Sequence, residues 1–392
     1  MKTIFVVLSL LLLTGCWSSV ELNDRAFVRM MILDKAKSGI ELSLDFSLPN
    51  RLIPGSAGGS GEQTGKPYTY ITETGIDISE AYRKIQSDLS RKISFGQTRV
   101  IVIGRQLAEQ GIEPTLDFLA REPAMHINAY LFVTPGKARE IEAIAALFER
   151  FPSDILAAYG EKHVIIDTTV KDFLAANYSG GDMVVPMLRF GTKSIPSEKE
   201  KEQQWMGTSG AAIFKQGKMV STLNTSEMRG GLWILGKLNN AEISVPSPTD
   251  GKPVSFMVQR ADTRIKPRIK EDQVEIQIQS NAEAEVLSSN SNINLQDLKQ
   301  LDKLEQSLNK TVKKRITSAV DKSRAVGSDA FQFGNYLDWH YPVKWKSIKP
   351  QWRDIYSSQM KLDVQTDVKI LRLGTFQHSI MESSGSNSEV EH

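Results

Sequence analysis

The residue with the clearest chemistry in this 392-residue sequence is Cys16, the only cysteine in the chain. A cysteine sulfur is a nucleophile that can form a thioether with a diacylglyceryl group. The residues before it, Thr14 and Gly15, are small enough to enter the pocket of a processing peptidase. With Cys16 used in this way, no thiol is left for a disulfide, a cysteine-ligated zinc site or a catalytic cysteine.

A short apolar segment at the N-terminus would position Cys16. Lys2 precedes an apolar run of about ten residues, 4–13, which is about half the length needed to cross a bilayer. A positive end, a short apolar middle and small residues before a break are typical of an export signal. Leu13-Thr14-Gly15-Cys16 resembles a bacterial lipobox, in which the cysteine becomes the new N-terminus and carries S-diacylglyceryl and N-acyl groups. We therefore predict a lipoprotein signal peptide at 1–15 and a lipidated tether at 16–26.

Two other interpretations of this N-terminus stay open, an ordinary cleaved signal in which Cys16 is incidental and an uncleaved hydrophobic anchor. Acyl chains contribute about 0.8 kcal/mol per buried CH₂, so two or three of them suffice for stable anchoring. Lipidation at Cys16 therefore predicts a protein held at the outer face of the cell membrane.

The rest of the sequence offers no spacing typical of a catalytic or metal site. The five histidines are scattered and no two are four residues apart, which disfavours a helical zinc pair. No Gly-x-Ser-x-Gly elbow occurs, and the Ser-x-x-Lys match at 307–310 lacks the element order of a penicillin-binding protein. Paired carboxylates are unsupported rather than excluded. We expect no enzyme activity, no metal and no cofactor.

Composition indicates an ordinary globular body beyond the N-terminal segment. Hydrophobic residues make up 40% and charged residues 24% of the chain, and the net charge is +2. A nearly neutral protein favours neither nucleic acid nor electrostatic binding of the whole body to a lipid surface.

Strands and helices alternate through 27–191, which predicts an N-terminal α/β domain with helices covering a mixed sheet. The stretch 40–48 alternates strictly, with Leu42 and Leu44 on one face and Ser43 and Asp45 on the other. A glycine-rich run follows at 54–66 but lacks the Ser or Thr of a phosphate-binding loop, so we predict an ordinary loop.

The C-terminal half predicts a different organisation. The polar run 192–204 is predicted as a linker, followed by a small middle domain at 205–250, a C-terminal α+β domain at 251–374 and a disordered tail at 375–392. Asn224 with Glu227 predicts a helix start. Asn294 is predicted to cap the longest helix, since apolar residues follow three and four apart.

Aromatic residues concentrate between 331 and 352. Exposed Trp and Tyr clusters are typical anchors in interfaces, whereas aromatic residues that cap a sheet are commoner in cores. Both interpretations stay open, and four residues form the candidate partner interface: Trp339, Tyr341, Trp345 and Trp352.

Several stretches follow one another along nearly the whole chain: Cys16-Trp17 with 21–24, the hairpin and helix at 210–233, Asp329-Ala330-Phe331-Gln332-Phe333-Gly334, the run 342–346 with Trp352, and 372–374. Together they resemble signatures of the Ger(x)C spore germination lipoproteins. The resemblance implies the C subunit of a nutrient germinant receptor, acting with A and B membrane subunits at the inner membrane of the spore. It also implies three α/β domains, each with a mixed or antiparallel sheet covered by helices, and no catalytic residue.

These inferences predict a non-enzymatic, lipid-anchored receptor subunit that is required for germination through assembly with membrane subunits. A solute-binding lipoprotein of a transporter is the alternative, and would need two similar lobes around a cleft. A cell-wall-acting enzyme would need a carboxylate or serine site. Neither nucleic acid nor metal is expected as a partner.

Overall fold

The computed structural model describes residues 21–49, 66–144, 146, 148–162, 165–178, 180, 182–194, 202–271 and 273–372. The predicted signal peptide, Cys16, the glycine-rich stretch up to residue 65 and the predicted tail from 375 lie outside the described residues.

A nine-stranded mixed sheet forms the first part of the molecule. Its strands are β1 (Arg25–Lys35), β2 (Ile40–Ser47), β3 (Tyr68–Gly75), β4 (Lys92–Ser94), β5 (Val100–Ile103), β6 (Tyr130–Val133), β7 (Met183–Ser194), β8 (Glu202–Lys215) and β9 (Lys218–Leu223). The order is β3-β2-β1-β5-β6-β7-β8-β9, with β4 beside β1. Strands β1, β5, β6 and β7 run parallel, and the strands on both flanks pair antiparallel.

Both faces of this sheet are covered, because successive residues of its central strands enter different hydrophobic clusters. On β1, Met30 and Ile32 pack into one cluster and Met31 and Leu33 into the other. The α-helices described in this part are α1 (Ile78–Ser87), α2 (Arg105–Gln110), α3 (Glu113–Arg121), α4 (Pro152–Glu161) and α5 (Val170–Tyr178), and a 3-10 helix lies at Ala138–Ala143. Burial on both faces explains the nearly continuous apolar runs of β1 and β5.

The polar face of β2 is buried as well, which the alternating pattern did not indicate. Ser43 donates to Glu142 at 2.7 Å, and the carboxylate of Asp45 is fully buried. Neither oxygen of Asp45 has a hydrogen-bond partner within the part of the chain that the structure describes. Arg29 is close enough to affect the pKa of Asp45 but pairs with Asp154.

A four-stranded sheet and a long helix form the second part. Its strands, in the order β10-β11-β12-β13, are β10 (Asn239–Pro246), β11 (Pro253–Lys270), β12 (Gln273–Ser289) and β13 (Lys361–Arg372). Its helices are α6 (Thr225–Ile234), α7 (Leu298–Ala325), α8 (Phe333–His340), α9 (Pro342–Ile348) and α10 (Trp352–Asp354), and a π-turn follows at Ile355–Gln359.

Helix α7 buries the predicted apolar stripe from Leu304 to Val320, while Leu298 in its first turn is exposed, and the helix also covers the edge of β13. Asn309 accepts from the backbone N–H of Val368 and Glu305 from that of Ile370, each at 2.9 Å. These bonds occupy edge groups that would otherwise pair with another strand. The helix begins three residues later than predicted, because Asp297 is its cap while Asn294 accepts from Gln296 in a preceding turn.

The interval 192–204 differs from its prediction as a linker. Residues 192–194 and 202–204 extend β7 and β8, which pair with each other as far as Ser194 and Glu202. Most of these six residues are exposed, which suits their polar side chains. The predicted middle domain is likewise divided, since β8 and β9 belong to the first sheet and β10 to the second.

The fold class, a mixed α/β and α+β arrangement, is as predicted, and the described strands form two sheets. No helix among the described residues is both long and apolar enough to cross a bilayer.

Candidate functional site

The candidate site is the turn between α8 and α9, where three apolar side chains project from the surface. Trp339 is 70%, Tyr341 36% and Val343 85% exposed. Pro342 opens α9 at the first helical position, where a missing N–H costs nothing. Tyr341 is therefore the single residue between the two helices. We call residues 339–343 the aromatic edge.

Asp329 fixes the start of α8 beneath this edge. Its carboxylate accepts the backbone N–H of Phe333 at 2.8 Å and of Gly334 at 2.7 Å. The indole N–H of Trp352 donates to the same carboxylate at 2.8 Å. One buried side chain thus orients the first turn of α8 and the tryptophan that opens α10.

Gly334 allows two tryptophans to pack against α8. A Cβ at this position would lie 2.7 Å from Cη2 of Trp345 and 3.0 Å from Nε1 of Trp352. The two indole rings are 5.4 Å apart in an edge-to-face arrangement, and both are buried. The residue types of Asp329 and Gly334 therefore follow from one packing arrangement.

An ion pair connects this aromatic core to the first sheet. Arg353 follows Trp352 and donates Nη2 to Oδ1 of Asp182 at 2.8 Å. Asp182 also accepts the backbone N–H of Asp329 at 2.9 Å and of Gln216 at 3.1 Å. We call Asp182 and Arg353, with the backbone groups they bind, the latch. It joins the start of β7 and the β8–β9 turn to the C-terminal helices.

Burial raises the pKa of Asp329 to about 7, although its three N–H donors and their partial positive charges act in the opposite direction. The neighbouring Asp182 carboxylate raises it further. Burial thus favours the protonated, neutral form of Asp329. Its hydrogen bonds to two backbone N–H groups and an indole N–H indicate a structural role.

Two small cavities flank the aromatic core. One, of about 200 Å³, lies between Asp182, Asp329 and Trp345, and the other, of about 210 Å³, lies between Met183, Lys237 and Trp339. An open groove of about 650 Å³ lies elsewhere, between the β1–β2 turn and α3. Within the described residues, no three His, Cys, Asp or Glu side chains are grouped to hold a metal ion.

The structure divides the four residues of the predicted interface. Trp339 and Tyr341 are on the surface, whereas Trp345 and Trp352 are 6% and 7% exposed and belong to the core. The core interpretation therefore applies to Trp345 and Trp352, and the partner interface stays a prediction for Trp339 and Tyr341. The prediction missed Asp182 and Arg353, whose types alone carried no signal because their partners are far apart in sequence. Cys16 lies outside the described residues.

Comparison with known proteins gives a consistent family. A model described as "Spore germination protein N-terminal domain" matches residues 18–190, and "Spore germination B3/GerAC like, C-terminal" matches residues 209–374. The crystal structure of the GerBC protein shares the fold, with a TM-score of 0.55 and 18% identity over 88% of this chain and 98% of that chain.

Similar sequences extend over the whole length. Putative spore germination protein YfkR of Bacillus subtilis (strain 168) is 26% identical over 97% of this chain and 98% of its own. Spore germination protein KC of the same organism is 27% identical over 95% of both chains. Spore germination protein GerQC of Bacillus cereus is 22% identical over 95% of this chain and 98% of its own. With both halves matched in order, the chain belongs to the Ger(x)C, or GerAC-like, family of spore germination proteins.

Proposed function

We propose that this protein is the non-enzymatic C subunit of a nutrient germinant receptor. Its lipid on Cys16 holds it at the outer face of the membrane that becomes the inner membrane of the spore, and it acts by assembling with the A and B membrane subunits. The observation that carries this proposal is similarity to spore germination proteins over nearly the full length of both chains.

The anchor determines how assembly works. A protein confined to the membrane meets its membrane-embedded partners at a high effective concentration, so modest contacts suffice for binding. The latch supports the same role, because it ties the first sheet to the C-terminal helices and so holds the two parts of the body together. The buried carboxylates Asp182 and Asp329 are both occupied by N–H donors.

The solute-binding alternative receives less support. Such proteins place their ligand between two similar lobes. The groove of about 650 Å³ lies instead within the first part, beside Gly39, Ile76 and Phe118. A thermal-shift screen with amino acids and sugars is therefore expected to show no stabilisation.

The test is Cys16→Ala in the intact spore-forming organism, with Ser18→Ala as a matched control just outside the predicted lipobox. We expect Cys16→Ala spores to lose the nutrient response and keep the response to non-nutrient triggers, with the protein washed into the soluble fraction. Mass spectrometry of the parent should find an acylated N-terminal Cys16. Full nutrient response with soluble Cys16→Ala protein would refute the proposal.

A further inference from the structure

The aromatic edge continues into a segment with an unusual distribution of charge. Residues 339–353 contain Lys344, Lys346, Lys349 and Arg353 and no Asp or Glu. Lys346 and Lys349 are exposed, as are Trp339, Tyr341 and Val343. The exposed side chains of this segment thus comprise two aromatic rings, an aliphatic side chain and a basic flank, with one exposed carboxylate, Asp338, just before them, while the chain as a whole is close to neutral.

Each of these residue types suits the boundary of a bilayer. Trp and Tyr concentrate at the headgroup level of membranes, where an apolar ring and a polar N–H or O–H are both accommodated. An exposed aliphatic residue gains by entering the acyl boundary, and lysines are attracted to anionic headgroups. We infer that the aromatic edge inserts into the headgroup region of a bilayer containing anionic phospholipid, while Lys346 and Lys349 meet its phosphate groups.

The direction in which the chain leaves the body agrees with this placement. Because β1, β5, β6 and β7 are parallel, Arg25 and Met183, which begin β1 and β7, lie at the same end of these strands. Trp339 lines a cavity together with Met183 and Val184. The tether would therefore reach the membrane from the end of the parallel strands at which Trp339 also lies. Its eight residues between Cys16 and Arg25 span at most about 30 Å.

The edge is also held rigidly, as an inserting surface requires. The rings of Trp339 and Tyr336 are 5.2 Å apart, and α8 and α9 are fixed from below by Asp329, Trp345 and Trp352. Little conformational freedom is lost when such a preformed surface binds.

This inference rests on the proposed function, because the lipid on Cys16 brings the edge to the membrane. An acylated Cys16 has no free thiol, so one introduced cysteine can be labelled uniquely. We would place an environment-sensitive fluorophore at Val343→Cys or at Ile76→Cys in the full-length lipoprotein. Ile76 is a matched control, since it is 77% exposed and follows β3 at the opposite end of the strands from Arg25.

Both proteins are reconstituted on vesicles of equal parts phosphatidylglycerol and phosphatidylcholine, and on phosphatidylcholine alone. On anionic vesicles we expect a blue-shifted label at 343, protected several-fold from a water-soluble quencher, and an unprotected label at 76. Lys346→Glu with Lys349→Glu should remove this protection.

Equal quenching at both positions on vesicles that carry the protein would overturn the inference. Protection at 343 that appears only when the A and B subunits are present would also overturn it, and would make the edge a subunit interface. If the parent chain takes up label at Cys16, the anchor and the proposed function fail. The inference is then decided by whether the unanchored parent co-sediments with anionic vesicles and the double glutamate variant does not.

Discussion

Arg353 and Asp182 are 171 residues apart in sequence and form an ion pair, with Nη2 2.8 Å from Oδ1. The same guanidinium donates to the backbone carbonyls of Gly180 at 2.8 Å and Gly327 at 3.2 Å. The pair thus bridges the segment before β7 and the segment after α7. Asp182 is buried, and the positive charge of Arg353 offsets the desolvation cost of the Asp182 carboxylate.

Replacing Arg353 with Met should destabilise the protein strongly. The substitution keeps much of the side-chain volume but leaves the Asp182 carboxylate buried without its cation, at a cost of about 3 kcal/mol. Arg353→Lys should lose less stability than Arg353→Met, because it keeps the positive charge and loses only the bidentate hydrogen bonding to the Asp182 carboxylate. Urea unfolding monitored by circular dichroism measures both, and equal stability of Arg353→Met and the parent would show that the pair contributes nothing.

Trp352→Phe should cost more than Trp345→Phe. Both remove an indole from the same ring pair, but only Trp352 donates to Asp329. Losing a donor to a charged acceptor costs about 1.5–3 kcal/mol. Because Asp329 has a folded-state pKa of about 7, the difference between the variants should widen as pH rises through 7 and the carboxylate ionises. A difference independent of pH would assign the effect to ring packing alone.

Asp45→Asn should change how stability depends on pH. Burial raises the folded-state pKa of Asp45 to about 7, partly countered by Arg29. The unfolded chain loses this proton near pH 4, so the folded form holds one extra proton between about pH 4 and 7. The parent is therefore expected to lose stability as pH rises through this window.

The free energy of unfolding of the asparagine variant should not fall in this way. Relative to the parent it should rise by up to about 4 kcal/mol between pH 4 and pH 8, at about 1.4 kcal/mol per pH unit. Denaturant unfolding at several pH values measures the gain. Asp321→Asn, on the exposed side of α7, is the control and should follow the parent. Parallel pH profiles for Asp45→Asn and the parent would contradict the expectation.

Gly230→Ala should disrupt the contact between α6 and α7. A Cβ at this position would lie 2.1 Å from the backbone carbonyl oxygen of Arg315, which a side-chain rotation cannot relieve. Overpacking of this kind costs about 1–3 kcal/mol or more, against the usual gain from alanine in a helix. Gly191→Ala, with no atom within 4 Å, should change stability by less than about 0.5 kcal/mol. Thermal unfolding compares the two.

Local patterns in the sequence predicted the elements whose causes are local. The capping box of Asn224 and Glu227 is confirmed, with Asn224 accepting the Glu227 N–H at 2.9 Å. The apolar stripe of α7 is confirmed from Leu304 to Val320, whereas Leu298 in the first turn is 79% exposed. Each depends on residues within a few turns of one another, so spacing alone carries the information.

Long-range packing explains what the sequence could not show. Asp45 alternates as a surface residue would, but a second layer of structure covers its face of β2. Trp345 and Trp352 are spaced like Trp339 in an aromatic run, and are buried only because Gly334 gives them room. The described ends of the polar run 192–204, residues 192–194 and 202–204, are mostly exposed, and composition does not reveal that they pair with each other.

The pairing of β7 with β8 crosses the point at which the two family models divide, between residues 190 and 209. The two modules that sequence comparison separates therefore share one continuous sheet. A chimera that joined the N-terminal part of one germination protein to the C-terminal part of another would have to match the backbone register and the inward-facing side chains where β7 pairs with β8. Recombination between relatives should thus be tolerated poorly here, and the two halves should evolve as a single inherited unit.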